Sequence, residues 1–104
     1  MDQPDACDAS CPVARTAGII SGKWTTLIIR DLLGGSRRYS ELQRSLGNVS
    51  PRMLAMRLAE LEEAGLITKT ITPSVPPRTD YALTERGLRL RPVIAAMAEF
   101  GASV

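Results

Sequence analysis

Between Ser50 and Gly65 the chain carries both the start and the stop signals of a helix. Serine is a good N-cap, because its side-chain oxygen takes a backbone N–H that has no helical partner. Proline at 51 suits the first helical position, where no N–H is needed. Leu54, Leu58 and Leu61 then recur at helical spacing, and Gly65 suits the close. The next segment is of another kind. Leu66 to Thr72 is short and β-branched, Pro73, Pro76 and Pro77 make a stiff exposed connection, and Thr79 to Leu83 alternates and returns as a second strand. A helix that runs straight into a proline-tipped β-hairpin is a narrow specification, and the rest of the chain must fit around it.

Upstream, Pro12 opens a helix over about 12–21, with Val13, Ala17 and Ile20 at helical spacing and Gly22 as its stop. Trp24, Leu27, Ile28 and Leu32 mark a strongly apolar second helix, about 24–33, ended by Gly34-Gly35. Trp24 reads as a core or interface residue rather than a ligand contact. Arg37-Arg38-Tyr39 is a candidate short strand. Ser40 is then expected to cap a short helix carrying Leu42 and Leu46, turned at Gly47-Asn48. Downstream, Thr84-Glu85 starts a last helix with the stripe Leu90, Ile94 and Met97, and Pro92 is expected to kink it. The order is helix, helix, short helix, longer helix, hairpin, helix. That is a mainly α fold with a small β-hairpin wing (α+β), a winged helix-turn-helix.

Length and composition narrow the function. A chain of 104 residues is one domain's worth, read as an N-terminal arm over 1–11 and a folded domain over 12–104. At 44% hydrophobic it can build a core, yet a domain this small gains from a partner subunit. The last helix, with Val93 and Phe100 added to its stripe, has more apolar surface than one small domain can cover. Together with the first helix it forms a candidate dimer face, the alternative being packing within the monomer. No apolar run approaches the roughly 18 residues of a membrane span. The acidic start MDQPDACDASCP has neither a basic nor an apolar signal region, so the expectation is a cytoplasmic protein without a membrane partner.

Histidine is absent, which removes the commonest general base, the Ser-His and Cys-His nucleophile pairs and most zinc sites. The two cysteines, Cys7 and Cys11, are too few for an all-cysteine zinc site. Four aromatics, Trp24, Tyr39, Tyr81 and Phe100, argue against a platform that stacks single-stranded bases. The expectation is therefore no enzyme, no cofactor and no metal.

Charge points to a polyanion. The net +2 hides an arm with Asp2, Asp5 and Asp8 and a middle, residues 37–78, with seven cations against four anions. A step of roughly 100° per residue puts Arg52, Ala55, Met56 and Ala59 opposite the leucines of the helix that starts at Ser50-Pro51, with Arg57 on one flank. The start of that helix carries free N–H groups and partial positive charge, which suit phosphate. Such a helix fits the major groove of double-stranded DNA, where Arg52 can donate two bonds to guanine, and Ala55 and Met56 can approach a thymine methyl. Arg37 and Arg38 are candidate phosphate clamps, with Ser40 and Gln43 as neutral donors. Arg78 at the foot of the wing can reach a phosphate or the minor groove, or pair with Asp80.

Cys11 immediately precedes the helix opened by Pro12, and Arg15 lies one turn on; both favour the thiolate, while Asp8 opposes it. Cys11 is thus a candidate for redox or electrophile sensing, the alternative being a buried structural cysteine. If the arm extended the helix, Cys7 and Cys11 would lie within disulfide range, and pairing between subunits is equally open.

Several stretches now match in order: Cys11-Pro12, Gly22-Lys23-Trp24-Thr25, Arg38-Tyr39-Ser40-Glu41-Leu42, Ser50-Pro51-Arg52-Met53-Leu54 with Arg57-Leu58 and Leu61-Glu62, Gly65-Leu66-Ile67, and Pro76-Pro77-Arg78 through Tyr81-Ala82-Leu83-Thr84-Glu85 to Gly87. Together they resemble the HxlR-type bacterial transcription regulators, winged-helix proteins related to the MarR group. The resemblance implies a homodimer joined through its terminal helices, a recognition helix over 50–64, a wing over 72–79 and two half-sites on a palindromic operator. It also implies that Cys11 stands where some members sense quinones, aldehydes or oxidants; Cys7 has no assigned counterpart, and Phe100 stands where the family often has tryptophan. The main alternative to a dimeric sequence-specific regulator is a winged-helix protein-interaction module without DNA binding.

Overall fold

The computed structural model describes residues 11–104, so Cys7 and the rest of the arm through residue 10 lie outside the described residues. The elements are α1 (Pro12–Ile19), α2 (Lys23–Leu32), β1 (Arg37–Arg38), α3 (Tyr39–Leu46), α4 (Pro51–Glu63), β2 (Ile67–Thr72), β3 (Arg78–Leu83), α5 (Glu85–Leu88) and α6 (Arg91–Ser103). Their order is the winged helix-turn-helix expected from the sequence. The sheet is antiparallel in the order β1-β3-β2. Arg37 and Arg38 of β1 face Tyr81 and Asp80, so the entrance to the helix-turn-helix is hydrogen-bonded to the wing.

One core joins these layers. Ile28, Ile29 and Leu32 of α2 meet Leu42 and Leu46 of α3 and the three leucines of α4, with Leu66, Ile67 and Tyr81 closing the sheet side. Leu54, Leu58 and Leu61 are at most 2% exposed. Burying a leucine is worth about 1.5–3 kcal/mol, so this face alone holds α4 on the domain.

The ends of α4 are secured as well. Ser50 Oγ accepts from the Met53 N–H at 3.0 Å, and Pro51 takes the first helical position. At the other end Ala64 is the C-cap and Gly65 takes the left-handed conformation, φ +78°. Gly65 N–H reaches the Glu62 carbonyl and Leu66 N–H the Leu61 carbonyl, each at 3.0 Å, the paired closure of a Schellman motif. Two long-range bonds reinforce it. Arg86 Nη1 donates to the Ala64 carbonyl at 2.6 Å, and Thr84 Oγ1 donates to the Gly65 carbonyl at 2.7 Å.

Two local expectations are corrected. Ser40 does not cap α3: the cap is Arg38, extended at φ −75°, ψ 156°, whose N–H donates to Glu41 Oε1 at 2.8 Å. Tyr39 enters the helix because its ring packs against the core, and Ser40 stands exposed in the first turn. Pro92 does not kink a helix either. The chain breaks at Arg89-Leu90 after the single turn of α5, and Pro92 lies in the opening turn of α6, where its missing N–H breaks no helical bond.

Candidate nucleic-acid interface

The outward face of α4 is continuous. Arg52, Ala55, Met56 and Ala59 are exposed, as are Ser50 and Pro51 at its start. Met53 turns the other way and packs, half-buried, against the core. Small residues at 55 and 59 leave room for close approach, and Arg52 occupies the first turn, where its own N–H has no helical partner. Glu60, Glu62 and Glu63 are exposed in the C-terminal half, so the face is polarised along its length.

The neighbouring elements frame this face. Ser40 is exposed and Gln43 half-buried on α3. A groove of about 700 Å³ runs between the start of α3 and the wing, with Arg38 and Ser40 on one wall and Thr72, Ser74, Pro76 and Arg78 on the other. Arg78 is ion-paired through Nε to Asp80 Oδ2 at 3.0 Å, as one of its two sequence readings held. That pair occupies Nε and leaves its terminal amino groups as donors to a further partner. Arg37 differs from Arg38: its Nη1 donates to the Ser36 carbonyl at 3.2 Å, and its guanidinium lies back over the Gly34-Gly35 turn.

Arg57 sits apart from the outward face. Its Nη1 pairs with Glu60 Oε1 at 3.0 Å, and its guanidinium fills the space beside Gly22, within 3.3 Å of where a Cβ would stand. Gly22 is at φ +91°, so a side chain there would be both strained and crowded. Arg57 therefore braces the α1–α2 turn against α4, a placement the flank position on a helical wheel did not reveal.

Sequence reasoning also missed how α3 is tied to α4. Tyr39 OH donates to the Pro51 carbonyl, and nothing local in the sequence marks a bond between residues this far apart. Cys11 is the N-cap of α1 and is half-buried; its carbonyl accepts the Arg15 N–H at 3.0 Å. At the C-terminal end of the chain, α6 has no buried residue, and Pro92, Val93, Ala96, Met97 and Phe100 line an open apolar hollow of about 660 Å³. Phe100 is 71% exposed and Val13 of α1 is 77% exposed.

Residues 19–104 match the family model described as HxlR-like helix-turn-helix. The chain belongs to the HxlR-like helix-turn-helix family. It is 41% identical over 91 residues to an HTH-type transcriptional regulator of Methanothermobacter thermautotrophicus, covering 88% of this chain and 70% of that one. Among solved structures, a MarR-family transcriptional regulator from Porphyromonas gingivalis W83 superposes with a TM-score of 0.88 at 42% identity, over 91% of this chain and 93% of that one. The oxidised form of the redox regulator HypR superposes at 0.85 with 36% identity, over 90% and 97%. HxlR-like membership and the winged-helix fold agree with the resemblance read from the sequence, and both place the chain among transcriptional regulators. No helix among the described residues is long and apolar enough to cross a membrane.

Proposed function

We propose that this HxlR-like protein is a cytoplasmic, homodimeric, sequence-specific DNA-binding regulator that reads a palindromic operator. The observation that carries the reading is α4, whose inner face is three buried leucines and whose outer face is Arg52, Ala55 and Met56 with none of the described residues over them. An α-helix fits the major groove, and Arg52 in its first turn is the candidate base reader. Pro51 opens α4 without an N–H of its own, and the Ser50 and Arg52 N–H groups beside it offer backbone donors to a phosphate. Arg38, Ser40 and Gln43 from the start of α3, and Arg78 from the wing, are assigned to the flanking backbone. Arg37 and Arg57 are engaged within the domain and receive supporting roles. The exposed face of α6, with Val13 of α1, is assigned to the second subunit, since so much apolar surface on one helix is otherwise left in water.

Regulation is assigned to Cys11, whose oxidation or modification by an electrophile alters DNA binding. Its place at the first turn of a terminal helix couples the thiol to the dimer face, and the likeness to a redox regulator supports it.

The test is a binding measurement with the reduced protein on DNA upstream of its own and divergent genes, across a salt series, repeated after diamide or quinone treatment. Tight binding that weakens steeply with salt supports the regulator. A response to treatment that disappears in Cys11→Ser supports the switch. Binding indifferent to treatment removes the switch and keeps the regulator; salt-insensitive behaviour with no specific site found genome-wide favours a protein-interaction module.

A further inference from the structure

We propose that Met56 is a second oxidant-responsive position, acting at the DNA face itself and independently of Cys11. The inference rests on the reading of α4 as the DNA-contacting helix. Met56 is 44% exposed on the outward face of α4, one turn beyond Arg52 and flanked by Ala55 and Ala59, which are too small to shield it. Met53, on the same helix, is half-buried against the core. One thioether of α4 is therefore open to a diffusing oxidant and the other is packed.

The chemistry needs only access to the sulfur lone pair. With hypochlorous acid the thioether gives two electrons to chlorine; the oxygen ends on sulfur as a sulfoxide, and chloride and one proton leave. Nothing else is consumed. The product reverts with a thiol-dependent methionine sulfoxide reductase, which returns the thioether and releases water while two thiols become a disulfide.

The consequence follows from what the side chain is there to touch. A thioether is apolar and polarisable and suits a thymine methyl. A sulfoxide oxygen is a strong acceptor with its own hydration. Beside a thymine methyl the nearest polar group of that base is O4, an acceptor too, so the modified side chain loses its apolar contact and meets a like group there. The buried face of α4 is untouched, so the helix stays in place while its outward chemistry changes. Bound DNA would cover Met56, so an oxidant acts on the unbound protein and blocks its return to the operator.

The experiment uses the full chain with Cys7 and Cys11 both replaced by serine. Limiting hypochlorous acid is added, peptide mass spectrometry locates the added oxygen, and operator binding is titrated before and after. Expected are a sulfoxide at Met56 ahead of Met53, unchanged circular dichroism, an affinity lowered about tenfold and recovered by methionine sulfoxide reductase. Operator bound beforehand slows oxidation of Met56. In the same chain carrying Met56→Leu, treated and untreated samples bind alike, whatever their starting affinity. The inference is overturned if Met56 is oxidised and binding does not change, or if Met56→Leu loses as much, which would move the effect to Met97, 45% exposed on α6. If the untreated chain shows no salt-sensitive DNA binding at all, the regulator reading fails first and this inference with it.

Discussion

The hydroxyl of Tyr39 donates to the backbone carbonyl oxygen of Pro51 at 3.2 Å, joining the first turn of α3 to the first turn of α4. The bond ties the starts of the two helices together. Tyr39→Phe keeps the ring against the core and removes only this bond. It is expected to cost about 0.5–1.5 kcal/mol in urea denaturation. An unchanged midpoint would show that ring packing alone holds the two starts together.

Gly87 is a tighter constraint. A Cβ there would collide with the Leu66 carbonyl oxygen and come within 2.9 Å of Leu83 Cδ2. The first obstacle is backbone and cannot rotate away. Gly87→Ala is expected to lower stability by about 1–3 kcal/mol, read as a fall in Tm, because α5 must move off Leu66 and Leu83 to admit one methyl group.

Arg52 and Arg78 are expected to fail differently. Arg52→Ala should cost about 1–3 kcal/mol on the operator and relax preference at one base position. Arg78→Ala should weaken binding to all sequences alike and flatten the dependence on salt, since a phosphate contact carries no base information. Competition with operator variants at two salt concentrations separates the two. Equal loss on every sequence for Arg52→Ala would remove it as a base reader.

Phe100→Glu tests the outer face of α6. A carboxylate on the proposed subunit interface would be buried without a partner of opposite charge, so sedimentation is expected to show a dimer for the parent chain and a monomer for the variant at the same concentration. Retention of the α-helical spectrum distinguishes a lost interface from a lost fold.

Tyr81 gives the protein an alkaline limit. Burial, aided by the carboxylate of Glu62 and by Tyr39, pushes its phenol above the ordinary 10.0. The folded chain keeps a proton that the unfolded chain gives up first. The contribution is thus whole below the unfolded value and drains away as pH climbs through the raised folded one. Urea midpoints taken from about pH 8 to 11 should fall, and fall less in Tyr81→Phe.

Most of the architecture was legible because its signals are local. Ser50-Pro51 and Gly65 bracket α4 by chemistry that needs no tertiary partner, and the prolines after Thr72 announce the wing. What was not legible depends on groups distant in sequence. Ser40 looked like the better cap, but β1 pairing with β3 holds Arg38 extended and hands it that place. Pro92 looked like a kink because nothing nearby says that Arg89-Leu90 interrupts the helix. Arg57 read as a flank residue of the DNA face, and Arg86 carried no signal; one fills the room left by Gly22, and the other closes the end of α4 across 22 residues of chain. The outward positions 52, 55 and 56 were readable from the leucines alone, since burial of one face defines the other.

The clamping of α4 at both ends has an evolutionary reading. Stability resides in the leucines, in Ser50 and Gly65, and in the bonds from Tyr39, Thr84 and Arg86; almost none resides in the exposed side chains between them. Residues 52, 55, 56 and 59 can therefore be exchanged with little penalty to folding. With α4 as the proposed reading helix, a lineage can rewrite the address while inheriting the scaffold intact, and gene duplicates can part company through a handful of substitutions on one helix.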